Sequence, residues 1–484
     1  MTGKDLQENI AYFKRRFKSD STVIFRDLES DCGQIKGCLI FIKGMINHEI
    51  ISRSIILPIQ RLNLEKKQHN SDILSFLKKR IITADEIQLV TETEFIVKSL
   101  LYGDTLLMID GYSACLLIQT KGWEKRGINE PDTERAILGS KEAFTESIVT
   151  NLTMIRRRII DSDLKFEAME VGTVTRTKIF MIYLENVAPQ ELIDEIKTKI
   201  NSIKIDAVLD SQYITECISN QPLSIFRTVG LSERPDVITA KLLEGRVAIA
   251  CDGTPELIYG PYLFYEQFMV NEDYYNNYIF SFINRVLRIF AFLVSTSIPA
   301  IYIALISFHQ QMLPREIFMS ISASREGVPF PSFLEVFLLL MTFELIREAG
   351  TRLPKNIGNA ISIVGALILG EAAVGAQIVS APVVIVAALT GITSIMLTQN
   401  IHSLMVIRYG LLSISGIFGM YGYIFGVMVL SIYLLSLNSF GVPYMTFIYN
   451  MRVNNDSIFR KPFQYNRNNV RTLLKRSKNE VTDK

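Results

Sequence analysis

The chain has 484 residues, a length that accommodates about three domains of ordinary size, and its 51 Lys and Arg against 49 Asp and Glu leave a net charge of +2. That balance argues against nucleic acid as a partner, because a nucleic-acid-binding domain carries a clear basic surplus. Hydrophobic residues make up 49% and mean hydropathy is +0.24; most of the excess lies beyond residue 285, which marks a soluble half followed by a membrane half. The five cysteines (Cys32, Cys38, Cys115, Cys217, Cys251) are scattered and form no Cys-x-x-Cys pair, and none of the four histidines sits at ligand spacing to one of them. No metal site and no cofactor is expected, and the thiols read as free in a reducing compartment. The N-terminal MTGKDLQENIAYFKRRFKSD lacks the apolar core of about 7 to 15 residues that a signal peptide needs, so the soluble half is expected in the cytosol.

In chain order, residues 1–125 read as a first α/β subdomain and 126–280 as a second, followed by an all-α polytopic membrane domain over 281–445 and a basic cytosolic tail over 446–484. Lys14, Arg15, Arg16 and Lys18 form a solvated face of a charged N-terminal helix. Short apolar runs at 22–25 and 37–44 suit buried strands. TLLMIDGYSACLLI (105–118) is a hairpin signal, with Asp110-Gly111 supplying the positive φ angles of a type I′ turn. In RGINEPDTERAILGSKEAFTESIVTNLTMIRRRI (126–159), Phe144, Ile148, Leu152, Ile155 and Ile159 recur at helical spacing, and the helix ends in Arg156, Arg157 and Arg158. Arginines there complement the helix dipole, and they can also clamp a phosphate or an acidic partner. Residues 165–171 and 177–185 read as a strand pair, and 189–203 as a helix. EGRVAIACDGTP (244–255) is a buried strand running into a turn, where Asp252 is either turn chemistry or a catalytic carboxylate. No GxxxxGK[ST] or GxGxxG occurs, which removes the phosphate-loop classes.

The tyrosine- and phenylalanine-rich stretch 262–284 reads either as the approach to the membrane or as a packed interdomain helix. Four spans are expected, at 286–308, 357–379, 383–398 and 409–437, with Pro299 kinking the first; hydropathy leaves six open. Residues 333–349 carry Glu335, Glu344, Arg347 and Glu348, with Arg352 just beyond, too many charges for a free span. A short interfacial or re-entrant helix with an internal Glu344/Arg347 pair is expected there. Glu371 interrupts the second span among small residues (Gly365, Ala366, Gly370, Ala372, Gly375, Ala376) whose spacing lets helices approach closely. Gly422 and Gly426 form a further small-residue packing face. The tail, with Arg452, Arg460, Lys461, Arg467, Arg471, Lys475, Arg476 and Lys478, is placed in the cytosol by the positive-inside bias, as is the N-terminus.

Several of these stretches together resemble one family. RGINEPDTERAILGSKEAFTESIVTNLTMIRRRI (126–159), VAIACDGTP (247–255), EDYY (272–275), PFPSFLE (329–335), FELIREAGTRLP (343–354) and SIVGALILGEAAVGAQIVS (362–380) occur in the order seen in the A subunit of GerA-type spore germination receptors. The chain is similar to that family over roughly residues 20–455. It departs from the family pattern at Gly139-Ser140-Lys141 and Glu142-Ala143-Phe144, where relatives show Gly-Pro before a basic residue and then Glu-Gly-Phe. The resemblance implies a receptor of A, B and C subunits in the inner spore membrane that responds to small nutrients, with the B subunit reading the germinant. It further implies that A subunits form a homo-oligomer in membrane lipid whose helices open a path for cations such as potassium or sodium. Intramembrane carboxylates of the Glu371, Glu335 and Glu344 kind suit such a path.

Three other readings stand beside this one. A secondary transporter with a cytosolic regulatory domain would show an internal inverted repeat, and none is visible. An enzyme would need a nucleophile-and-base pairing, whereas His309 and His402 lie in or near loops and no cysteine follows Cys251. A non-conducting scaffold subunit would pair Glu371 with Arg347 or Arg352.

Overall fold

Strands whose side chains are apolar on both faces must be covered on both faces, and this requirement organises the soluble half. The computed structural model describes residues 2–33, 35–62, 73–84, 86–123, 131, 134, 138–352, 370–397 and 401–445. The first sheet, in the order β1-β2-β4-β5-β3, comprises β1 Val23–Glu29, β2 Lys36–Ile42, β3 Ile87–Val90, β4 Thr105–Ile109 and β5 Cys115–Ile118, all antiparallel. Cys38, Ile40, Leu106 and Met108 point to one face, against α1 (Leu6–Arg16) and α2 (Thr93–Leu101). Leu39, Phe41, Leu107 and Leu116 point to the other, against the helical turns at 48–60 and 73–81.

The second sheet runs β6-β7-β9-β10-β8, with β6 Leu164–Val171, β7 Thr177–Leu184, β8 Gly230–Ser232, β9 Val247–Cys251 and β10 Leu257–Gly260. It is sandwiched between α3 (Ile148–Arg158) and α6 (Pro235–Leu243) on one side and α4 (Gln190–Ser202) and α5 (Ser211–Ile218) on the other. The two lobes are the same unit built twice. A shift of 142 positions carries α1 onto α3 and α2 onto α6 end for end, and each strand of the first sheet onto its counterpart in the second to within a residue. Even the helix cap is repeated: Leu6 N donates to Asp110 Oδ1 and Ile148 N to Asp252 Oδ1, each across 104 residues. The lobes meet where Arg156, buried at the end of α3, pairs with Asp20 and hydrogen-bonds Thr22, with its guanidinium 4.5 Å from the Phe166 ring.

Two local expectations change. The β4–β5 connection is five residues, 110–114, with a positive φ at Gly111 rather than at two central residues, because Asp110 turns away to cap α1. The helix expected within 126–159 starts only at Ile148. Phe144 precedes it in an extended segment and donates its N–H to Glu233 O. The boundary expected at 125–126 lies outside the described residues.

The helical half begins with α7 (Tyr278–Ser307), which holds Pro299 inside and takes in only the end of the aromatic stretch; the rest of that stretch carries two 3-10 turns packed before the helix. The amphipathic α8 (Arg315–Ser324) follows, then α9 (Ser332–Arg352), α10 (Ala381–Ile395) and α11 (Ile401–Ser436). The segment expected as a short re-entrant helix is therefore a continuous helix of 21 residues, about 31 Å long at 1.5 Å per residue. Its charges are paired, partly within the helix and partly with arginines of the neighbouring segments. The expected span 357–379 is described only from residue 370. It is helical to 375 and then turns, with Gln377 at φ 53°, before α10 begins. The tail 446–484 lies outside the described residues.

α11 is a hairpin. Gly419 has φ 62° and ψ −141°, outside the helical region, and a Cβ on Gly426 would stand 2.7 Å from Leu411, fifteen residues earlier. Along a straight helix that separation would be about 22 Å. Gly422 and Gly426 thus form a packing face against the chain's own preceding arm, at Ile414, Phe418 and Leu411. By length and composition α7 and α11 qualify to cross a membrane, and the fold at Gly419 divides α11 into two arms. After the second arm, Asn438–Ser439 and Val442–Pro443 pair, and the chain packs back on the second lobe. There Ser439 Oγ donates to Thr228 O, and Phe440 joins the core of the second sheet.

Candidate functional site

The residues just before α7 form a tight 3-10 turn, Asn271–Tyr274, that buries a carboxylate at the seam between sheets and helices. Asp273 Oδ2 accepts from Arg285 Nε at 3.2 Å and Arg288 Nη1 at 2.7 Å, and Oδ1 accepts from Arg288 Nη2 at 3.0 Å. The two arginines are three apart on one face of α7, so a single carboxylate can bridge both. Ser281 Oγ donates to Asp273 O at 2.6 Å, and the Arg285 guanidinium lies 5.5 Å from the Tyr274 ring.

Neighbouring residues of the same turn face the second lobe. Asn271 Nδ2 and Tyr275 OH donate to Asp236 Oδ2 at 2.7 and 2.6 Å, and Arg234 Nε donates to Asp236 Oδ1 at 3.1 Å. Burial works against ionisation of Asp236, but the Arg234 and Tyr275 hydrogen bonds overcome it and hold its pKa below the usual carboxylate range. Arg234 also donates to Ser140 O at 3.2 Å, Leu138 N donates to Glu272 Oε1 at 3.3 Å, and Gly139 leaves room for the Tyr275 ring, which a Cβ there would meet at 2.5 Å. Arg234, Asp236, Glu272 and Tyr275 thus join the 138–140 segment to the turn that leads into α7. A second tie lies beside them. Buried Glu266 accepts from Arg246 Nη1 and Lys241 Nζ, both at 2.5 Å; burial alone would raise its pKa, and these two cations bring it down to about 2.

Inside the helical half, Pro299 has no N–H for the carbonyl of Ser295. Arg408 Nε donates to that oxygen at 2.8 Å, and Arg408 Nη1 donates to Glu344 Oε1 at 2.8 Å, while Arg347 pairs with the same carboxylate. The Glu344/Arg347 pair expected from spacing is present, and sequence reasoning missed Arg408, its buried third member. An arginine in the apolar stretch MVIRYGLL was the available signal, since charges inside such segments are rare and have partners. Glu335, fully buried, accepts from Ser380 N and stands 3.8 Å from Arg325, with Tyr302 close by. Glu348 pairs with Arg352 on the exposed side of α9. Glu371 lies exposed in the helical stretch 370–375, next to Gly370, Ala372, Gly375 and, just past it, Ala376. Arg347 and Arg352 are engaged elsewhere. Gly365 and Ala366 lie outside the described residues.

In the soluble half, Arg157 stacks 5.3 Å from Trp123, and Arg158 Nη2 donates to Glu142 at 2.6 Å and to Ser140 Oγ at 2.9 Å. With Met45, Tyr102 and Met154 they line a cleft of about 350 Å³ between the lobes. Asp252, Lys43, Ser147 and Lys178 line another of about 490 Å³. Among the described residues no group of His, Cys, Asp or Glu could hold a metal ion.

A two-lobed α/β half bonded through buried charges to a bundle of apolar helices defines a membrane protein whose soluble part is mechanically joined to its helices. The sequence matches the family described as Bacillus/Clostridium GerA spore germination protein over residues 11–471. The chain therefore belongs to the GerA family, as the motif order implied. Spore germination protein KA of Bacillus subtilis (strain 168) is 36% identical over 463 residues, covering 95% of this chain and 85% of that protein. The uncharacterized membrane protein YfkQ of the same strain is 37% identical over 445 residues, 91% of this chain and 86% of its own. A solved structure, the N-terminal domain of the A subunit of the Bacillus megaterium spore germinant receptor GerK3, aligns with a TM-score of 0.44 at 30% identity, covering 54% of this chain and 97% of that one.

Proposed function

We propose that this chain is the A subunit of a germinant receptor completed by B and C subunits in the inner spore membrane. Both ends lie on the cytosolic side, and the chain carries a change in its soluble lobes into the helical bundle. The observation that carries this reading is Asp273: a fully buried carboxylate in the linker, shared by Arg285 and Arg288 of the first helix, cannot move without moving α7. In the same reading several copies associate through the bundle and open a path for potassium or sodium ions. Glu371 supports this step, because an exposed carboxylate among small residues on an apolar bundle is suited to face a water-filled seam between copies.

Flux of potassium from liposomes holding the receptor, with oligomer size checked in detergent, tests both parts. Asp273→Asn is expected to uncouple germinant from flux at unchanged oligomer size, and Glu371→Gln to lower the flux itself. Wild-type flux in both variants refutes the reading.

A further inference from the structure

The loop between α5 and β8, residues 219–229, is bonded to the foot of the helical hairpin. Ile225 N donates to Tyr433 OH at 3.0 Å, Tyr433 OH donates to Ser224 Oγ at 3.0 Å, and Ser403 Oγ donates to Ile225 O at 2.6 Å. Gln221 Nε2 reaches Ser436 O at 3.4 Å. Ser403 lies in the first turn of α11, and Tyr433 and Ser436 in its last. Those bonds therefore hold the loop at the level where both arms leave the bundle.

At the centre of this well-bonded loop stands Leu223, 97% exposed, with Ile225 exposed two residues on. Phe226 turns inward onto Phe264 and Tyr444. The loop thus has an inner side chain that anchors it, an almost fully exposed Leu223, and a partly exposed Ile225. Single exposed leucines are ordinary on a soluble surface. This one sits on a loop bonded to both ends of a hairpin that itself exposes Met405, Val406, Ile432 and Leu435 in the same first and last turns. Exposed Arg227 follows it, with a charge suited to lipid phosphates.

We infer that the 219–229 loop of the second lobe is a bilayer-dipping anchor: Leu223 and Ile225 insert below the headgroups of the leaflet at the foot of the hairpin, and Arg227 meets their phosphates. Apolar side chains flanked by a cation partition into this layer, and Tyr433 belongs to the same interfacial belt. The lobe is then held to the membrane at two points, Asp273 through protein and Leu223 through lipid. The inference rests on the reading that the hairpin crosses the bilayer.

The test uses the full chain in lipid nanodiscs, with the exposed Cys32 and Cys217 replaced by serine and an environment-sensitive nitrobenzoxadiazole label placed at Leu223→Cys. Two reference sites are labelled in parallel: Ile424→Cys, exposed on the second hairpin arm, and Val174→Cys, exposed in the β6–β7 turn at the far end of the sheet. Because Leu223 meets nothing, the label disturbs no packing. The expected result is a blue-shifted emission at 223, quenched by lipids with a nitroxide high on the acyl chain, while 424 is also quenched and 174 is not. An aqueous, unquenched signal at 223 with quenching retained at 424 overturns the anchor while the membrane reading stands, and leaves the patch to a protein partner. Loss of quenching at both 223 and 424 overturns the membrane reading and the anchor with it.

Discussion

Replacing Asp273 by alanine removes the counter-charge of two guanidinium groups at once, one of them as buried as the carboxylate itself, with Arg285 at 1% and Arg288 at 13% side-chain exposure. Breaking a buried ion pair from one side leaves an uncompensated charge and costs about 3–5 kcal/mol. Arg288 has a route to water and keeps its bond to Phe268 O, so the loss falls mainly on Arg285 and the first turns of α7. Since about 1.4 kcal/mol is tenfold in an equilibrium, those turns should open roughly a hundred to a few thousand times more often. Hydrogen exchange of amides 281–289, measured on the full chain in nanodiscs, reads this directly. The companion variant Arg285→Met separates charge from contact: in its background Asp273→Ala should cost much less, because the stranded charge is gone. If Asp273→Ala leaves exchange unchanged, or costs the same with and without Arg285, the junction does not hold the helix and the reasoning fails.

Three further outcomes are expected. Glu344→Ala removes the counter-charge of buried Arg408 and should destabilise the bundle by about 3–5 kcal/mol, whereas Arg408→Met, which leaves Glu344 paired with Arg347, should cost less; thermal unfolding in detergent gives the ranking. A disulfide should form between Leu411→Cys and Gly426→Cys, which a straight helix forbids at about 22 Å; gel mobility under oxidising and reducing conditions decides it. Glu266, with a folded pKa of about 2 against the ordinary 4.5, contributes stability that is fully present above about pH 4.5 and is lost as pH falls toward 2. Acid unfolding of the second lobe should therefore lose its steepest part in Glu266→Gln.

The soluble half was largely legible because its strands are short apolar runs bounded by polar turns. TLLMIDGYSACLLI and VAIACDGTP both became strands leading into Asp-Gly turns, and the helix end at Arg158 was read correctly. Its start was not, since Phe144 keeps helical spacing while its N–H bonds to Glu233 O, a tertiary contact that spacing cannot report. In the helical half the excess charge of 333–349 was visible but its resolution was not. Arg408 stands one residue before the apolar block 409–437, so hydropathy alone does not mark it as the partner of Glu344. Gly422 and Gly426 read as a packing face, but nothing in that spacing reports that Gly419 alone of the nearby glycines takes a positive φ and turns the chain back on itself. A stretch far longer than the roughly 20 residues a crossing needs was itself a sign of a bend.

The repeated lobe carries one more consequence. Shifted by 142, Arg234 and Asp236 correspond to Glu92 and Glu94, two like charges that cannot form the pair their counterparts make. Every bond to the helical half described above comes from the second copy or the turn after it, and the first copy meets the second where Arg156 pairs with Asp20. The two copies of the unit therefore differ in what they hold: the second is bonded to the turn that leads into α7, and the first is bonded to the second. Asp20 and Arg156 at one seam and Asp273 with Arg285 and Arg288 at the other thus place the second copy between the first copy and α7.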